Sequence, residues 1–261
     1  VPTSTTSRGA SGFGGQVKWV ESNGQLSPVA TGVQSGEEKE EEIYEILESC
    51  QTMKPIVIFF TKPKDLLAFG NKAKKDPEVE ACEEMNEDLW KRFAITERSQ
   101  EFICVRVNTR KADKKLLRHH RVSRSPVVAI IGFDLKQIFF SSSPKLSYST
   151  LGKWMDRAQK KVEAEVKKLA QSDEDSPLVE RAKKRALEIE QRELYEKGLE
   201  ALNNKKYDSA EEFFQKAVAI EANSPHKAKS EEGFIEIKAA KMLEEAEQLY
   251  KQRRFKQCKE K

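Results

Sequence analysis

The groups best suited to chemistry in this chain are its cysteines and histidines, and their spacing limits what each can do. Cys50, Cys82, Cys104 and Cys258 stand 32, 22 and 154 residues apart. Thiol–disulfide chemistry in one motif needs two thiols within reach, and zinc sites draw on ligand pairs two to four residues apart, so neither pattern is present. A single reactive cysteine needs an exposed thiolate of low pKa, favoured at a helix N-terminus. Cys50 falls near the end of a helical pattern, where the dipole disfavours an anion. Cys82 lies on an apolar helical stripe and Cys104 in the middle of a β-type run. All three read as small core side chains. Cys258 repeats the place of Ala210 in an internal echo described below, which predicts half burial.

The histidines are equally unhelpful to catalysis. "RHHR" (118–121) puts His119 and His120 side by side in a helical segment, about 100° apart, where they cannot chelate one ion; His226 stands alone. A solvated basic helix is the expectation. No metal site and no cofactor are expected. From 105 to 125 the chain carries eight Lys or Arg against one Asp, a local charge of +7. Lys111, Lys114, Lys115, Arg118, Arg121 and Arg124 form a candidate basic face for an acidic partner or a phosphate backbone. The segment lacks the interleaved aromatics that stack on bases, which argues against nucleic acid. Glu83-Glu84 and Glu211-Glu212 sit in charge-dense helical stretches and read as solvated faces. "GFGG" (12–15) precedes no helix, so it is no phosphate loop.

The positions of these groups depend on elements that the hydropathy pattern outlines. The chain has 261 residues, 38% apolar and 34% charged, with a net charge of +4. That suits one ordinary domain joined to solvated helices. No apolar run reaches the roughly 18 residues of a membrane span, so a soluble chain is expected. The sequence opens on Val1, which points to a processed or trimmed chain and leaves no leader to read. The compartment stays open.

Residues 1–16 are Ser, Thr and Gly with little to bury and read as a tail. "VKWV" (17–20) is a strand candidate, followed by a loop. Ser35 with Glu38 signals a helix start, and Ile43, Ile46, Leu47 and Cys50 recur at helical spacing. "PIVIFF" (55–60) and "FICVRV" (102–107) are continuous apolar strands. "KDLLAFGNKAKK" suggests a short helix, and Asp76-Pro77 opens another with Val79, Cys82, Leu89 and Phe93 on one stripe. "KADKKLLRHH" is a short basic helix. "SPVVAIIGF" and "KQIFFSS" form strands about a Phe-Asp-Leu turn, and a long amphipathic helix follows. This order predicts a mixed sheet with helices on both faces. After the polar "QSDEDSP" (171–177) only helices are predicted: 178–203, 207–221 and about 225–251. In the last, Ile235, Ala239, Met242, Ala246 and Leu249 form a packing seam. Gly198, Tyr207 and Ala210 are echoed by Ala246, Phe255 and Cys258 at an offset of 48 residues.

Residues 17–170 resemble the thioredoxin superfamily. The likeness rests on "KPIVIFF", on "EFICVRVNTRKADKKLLRHHRV" and above all on "VSRSPVVAIIGFDLKQI". The resemblance implies a thioredoxin-like α/β domain with Pro126 at the cis-proline position. It also implies a peptide-docking cleft in which Ser125, Pro126 and Val127 face Thr61, Lys62, Pro63 and Lys64. The chain departs from the family where a redox member carries Cys-x-x-Cys: after Phe60 it has Thr61, Lys62, Pro63, Lys64 and Asp65.

Residues 191–222 look like a tetratricopeptide repeat, with Gly198, Tyr207, Ala210, Phe214 and Ala217 at the family's small and aromatic packing positions. "AEQLYKQRRFKQCKEK" looks like a second unit cut short, which suggests that the natural protein continues. The Lys and Asn with which such repeats hold a peptide carboxylate are replaced by Tyr195 and Leu199, so that mode is unsupported. The organisation expected is a tail (1–16), a thioredoxin-like domain (17–170), a linker (171–177) and a C-terminal all-α helical-repeat domain (178–261). The function expected is a redox-inactive interaction or assembly module for a protein or peptide partner, including an acidic one. The alternatives are a thiol oxidoreductase using one cysteine, or an anion- or RNA-binding protein using residues 106–124.

Overall fold

"PIVIFF" and "SPVVAII" each need cover on both faces, and they lie side by side within a five-stranded sheet. The computed structural model describes residues 16–24, 26–28, 41–43, 52–64, 76–222 and 224–251. In chain order these hold β1 (Trp19–Ser22), β2 (Leu26–Pro28), β3 (Glu41–Ile43), β4 (Ile56–Thr61), α1 (Pro77–Asp88), α2 (Phe93–Ser99), β5 (Ile103–Asn108), α3 (Lys114–His119), β6 (Val127–Ile131), β7 (Gln137–Ser141), α4 (Tyr148–Ala170), α5 (Pro177–Asn203), α6 (Tyr207–Ala219) and α7 (Pro225–Lys251). Contacts divide the chain into two units, Val1–Glu165 and Val166–Lys261. The division falls inside α4, ahead of the polar 171–177 segment.

In the first unit the sheet order is β1-β5-β4-β6-β7, with β1, β5 and β4 parallel and β6 and β7 antiparallel. Every residue of β4 and of β6 is buried. Alternation sends Val57, Phe59, Cys104, Val128 and Ile130 to one face, against Met85 and Leu89 of the α1 end, Ile95 of α2, and Leu151 and Met155 of α4. Ile58, Phe60, Val105, Val107 and Ala129 go to the other face, under Leu116 of α3. The mixed sheet with helices on both faces is as the alternating pattern predicts.

Helix starts follow their signals. Asp76 accepts the Glu78 N–H at 3.0 Å ahead of Pro77, and Asp113 accepts the Lys115 N–H at 2.7 Å. Three expectations are corrected. Part of the predicted loop after β1 is the strand β2, paired antiparallel with β3, so Ile43 ends a strand where the predicted helix begun at Ser35 would run. The helix begun at Pro77 stops at Asp88, and Phe93 opens the separate α2 with 70% exposure, off the buried stripe. The third concerns α7 and is given below. Residues 35–40, 44–50 and 65–75 of the predicted helices, "GFGG" (12–15), and Cys50 and Cys258 lie outside the described residues.

The second unit holds the end of α4 with α5, α6 and α7. Lys167 and Glu193 form a 2.8 Å ion pair between α4 and α5. Gly198, Ala210, Phe214 and Ala217 are buried between helices, with Tyr207 packed at the edge. The face that α7 buries is Ser230, Gly233 and Ile237, whereas Ile235 and Met242 of the predicted seam are 71% and 39% exposed. Both sets fit a helical period. Gly233 decides between them, because only a residue without a side chain admits the Phe214 ring.

Candidate functional site

Alternation that buries Phe59 and Cys104 also sends Thr61, Arg106 and Asn108 to the α1 face, beyond the core at the ends of β4 and β5. There they meet Glu21 of β1 and Cys82, Glu83 and Asn86 of α1, and with Lys62, Pro63 and Lys64 they line a cleft of about 360 Å³. Thr61, Lys62, Pro63 and Lys64 therefore do sit at a cavity.

Each cation of this cleft is held by a carboxylate. Lys62 Nζ lies 2.8 Å from Asp76 and 3.2 Å from Glu78. The hydrogen bond with Asp76 raises the Lys62 pKa, and the same bond holds the Asp76 carboxyl below its ordinary range. Lys64 pairs with Glu83 at 2.7 Å. Arg106 pairs with Glu21 at 2.8 Å and stacks over Trp19, 4.8 Å from the ring centroid.

One thiol belongs to this place. Cys82 Sγ accepts the Lys62 backbone N–H at 3.4 Å, yet the residue is 1% exposed. Burial pushes its thiol pKa up, against the smaller pull of hydrogen bonds from Lys62 and Thr61. Cys104, 3% exposed, is pushed up to about 12 by burial alone. Neither is a thiolate at neutral pH, which is what nucleophilic attack on a disulfide requires.

The Ser125–Pro126 peptide is cis and enters β6, whose Val127 lies opposite Phe60. Thr109 links the two halves of the predicted groove: its N–H and hydroxyl donate to the Thr61 carbonyl at 2.9 and 3.2 Å, and its hydroxyl meets Ser125 Oγ at 3.1 Å. No sequence signal marked Thr109. Ser125, Pro126 and Val127 are buried on the β6 side of β4, while the cleft lies on the β5 and β1 side. Glu21, Asn86, Arg106 and Asn108 are its unforeseen members; alternation along strands whose ends the sequence leaves open is the only signal for Glu21, Arg106 and Asn108, and Asn86 on α1 has none.

Lys111, Lys114, Lys115, Arg118, Arg121 and Arg124 are all exposed around α3. "RHHR" is split rather than wholly solvated: His119 is exposed, but His120 is 2% exposed with its ring 5.3 Å from Phe60. Among the described residues no group of three or more His, Cys, Asp or Glu is placed to hold a metal, and no helix is long and apolar enough to cross a membrane.

In the second unit, Gln191 is a polar residue that sequence reading missed. Wholly buried, it donates to the Ala217 and Ile220 carbonyls at 2.8 and 3.2 Å, and so finishes the C-terminus of α6.

No protein-family model matches the chain, and no curated protein does. Among solved structures, a DsbH oxidoreductase is similar at 16% identity and a TM-score of 0.31, over 52% of this chain and 91% of that one.

Proposed function

We propose that this chain is a redox-inactive thioredoxin-like protein with a tetratricopeptide-like helical region, acting as a protein-interaction or assembly module. The sheet with its terminal hairpin fits the form that the sequence resemblance implies, and the packing of α5 on α6 fits the repeat. The observation that carries the reading is the state of Cys82. It is the described thiol nearest the strand end where exchange would occur, and it is sealed, hydrogen-bonded and protonated. Among the described residues both thiols are buried, which favours binding over thiol exchange at this strand end. The exposed cations around α3 offer a contact for an acidic partner.

The test is twofold. Native-state alkylation at pH 7 labels Cys82 and Cys104 only at the rate of unfolding, and the protein fails to reduce insulin. Affinity capture from the source organism, with quantitative identification, returns a reproducible partner. Rapid labelling of Cys82 together with insulin reduction overturns the reading in favour of an oxidoreductase.

A further inference from the structure

α7 carries two apolar faces, and the packing of the second unit uses one of them. Gly233 and Ile237 close on Phe214. About half a turn round the helix, Ile235, Ala239, Met242 and Leu243 are exposed, Leu243 at 63%. Single exposed apolar side chains are ordinary, but four along about 12 Å of one helix face form a continuous patch.

The spacing of the patch sets the shape of what covers it. Ile235, Ala239 and Met242 step by four and three, and the sequence continues that step to Ala246 and Leu249. A repeat of 3.5 residues is the period at which one helix offers knobs and holes to another. An extended segment, with its period of two, has no matching repeat.

The border of the patch sets the charge. Glu231, Glu232, Glu236 and Glu247 flank it against Lys238, and all five are exposed. Among the described residues none of the five is held in an ion pair, whereas Lys241, on another face of the same helix, is held by Asp208 and Glu211 at 3.0 Å each.

We propose that this outer stripe of α7 docks a basic amphipathic helix of a partner protein. The partner's apolar seam packs on Ile235, Ala239, Met242 and Leu243, and its flanking Lys or Arg side chains meet the four carboxylates. Ala239 leaves room for a large knob between Ile235 and Met242. A second copy of α7 would bring the same carboxylates against these, and like charge disfavours that pairing. The proposal rests on the interaction-module reading and names the chemistry of one partner.

The experiment titrates the full chain with a fluorescent three-heptad peptide, Leu at a and d and Lys at e and g, and in parallel with its counterpart carrying Glu at e and g. Anisotropy rises saturably with the Lys peptide alone, and the affinity falls as salt is added. I235S combined with M242S weakens binding roughly tenfold. E231Q combined with E236Q weakens it by about threefold and flattens the salt dependence. Unchanged melting temperatures show that both variants are folded. The absence of saturable binding overturns the proposal, as does equal binding of the Glu peptide or undiminished binding by the I235S, M242S protein. Self-association that I235S and M242S abolish assigns the stripe to a second copy and overturns it. Binding that appears only after removal of residues 252–261 assigns the stripe to the chain's own segment and also overturns it. Affinity capture decides the interaction-module reading independently of the peptide titration, so the two fail separately.

Discussion

The Phe214 ring occupies the space that a side chain on Gly198 would need: a Cβ there would stand 2.4 Å from Phe214 Cε1. On the opposite edge, a Cβ on Gly233 would stand 2.5 Å from Cε2. One fully buried aromatic of α6 is thus gripped by glycines of α5 and α7. Gly198 was legible as a packing position because it stood in a recognisable spacing; Gly233 was not.

In an ordinary helix interior, Gly→Ala gains up to about 1 kcal/mol from propensity. Here G198A and G233A should each destabilise the second unit by about 1–2 kcal/mol, because overpacking a filled core costs about 1–3 kcal/mol. Adding F214L to G198A should recover part of that loss. Urea unfolding followed by helical circular dichroism measures it, and a stabilised G198A would refute the clash.

Cys104 gives a pH-dependent signature. Its thiol is raised in the fold to about 12, so the folded state keeps a proton that the unfolded chain releases. The stabilisation is complete below the ordinary thiol pKa and is lost as pH rises towards 12. Between pH 8 and pH 10 the protein should lose about 1 kcal/mol more stability than C104A does, since each pKa unit is worth about 1.4 kcal/mol. Denaturant titrations of both proteins at the two pH values check this.

Elements were readable where one local signal dominated. β4 and β6 are unbroken apolar runs, and Asp76-Pro77 marks a helix start by side-chain chemistry. The break at Leu89–Arg92 was invisible, because the apolar period runs on to Phe93 and only the tertiary fit of Leu89 and Trp90 into the core ends the helix. The cleft was half legible. Thr61–Lys64 drew notice through what they replace, whereas Arg106 and Asn86 depend on β5 lying beside β4 and on α1 crossing their ends. Nothing local encodes that juxtaposition.

Asp76 joins two tasks, capping α1 and holding Lys62. Its carboxyl pKa is lowered, chiefly by the Lys62 hydrogen bond, so its stabilisation is present above the ordinary carboxylate pKa and is lost as pH falls through the lower folded value. D76N keeps the cap and removes the charge. Its melting temperature should lie below that of the natural protein at pH 7, and the gap should close as pH falls below the ordinary carboxylate range. D76A, which also loses the cap, should melt lower than D76N at both pH values. A D76N gap that persists undiminished in acid would show that the Lys62 pair is not its source.

Two apolar stripes compete on α7, and substitution separates them. Ile237 is 2% exposed beside Phe214, while Ile235, two residues away, is 71% exposed. I237A should cost about 2–4 kcal/mol, the usual penalty for emptying a buried aliphatic site. I235S and L243S should change stability by less than about 0.5 kcal/mol, because an exposed side chain has little burial to lose. A sequence reading that trusted Ile235, Ala239 and Met242 as the seam makes the opposite forecast. If I235S proves as damaging as I237A, α7 is turned by about half a helical rotation from the orientation that brings Gly233 to Phe214, and the glycine clamp goes with it.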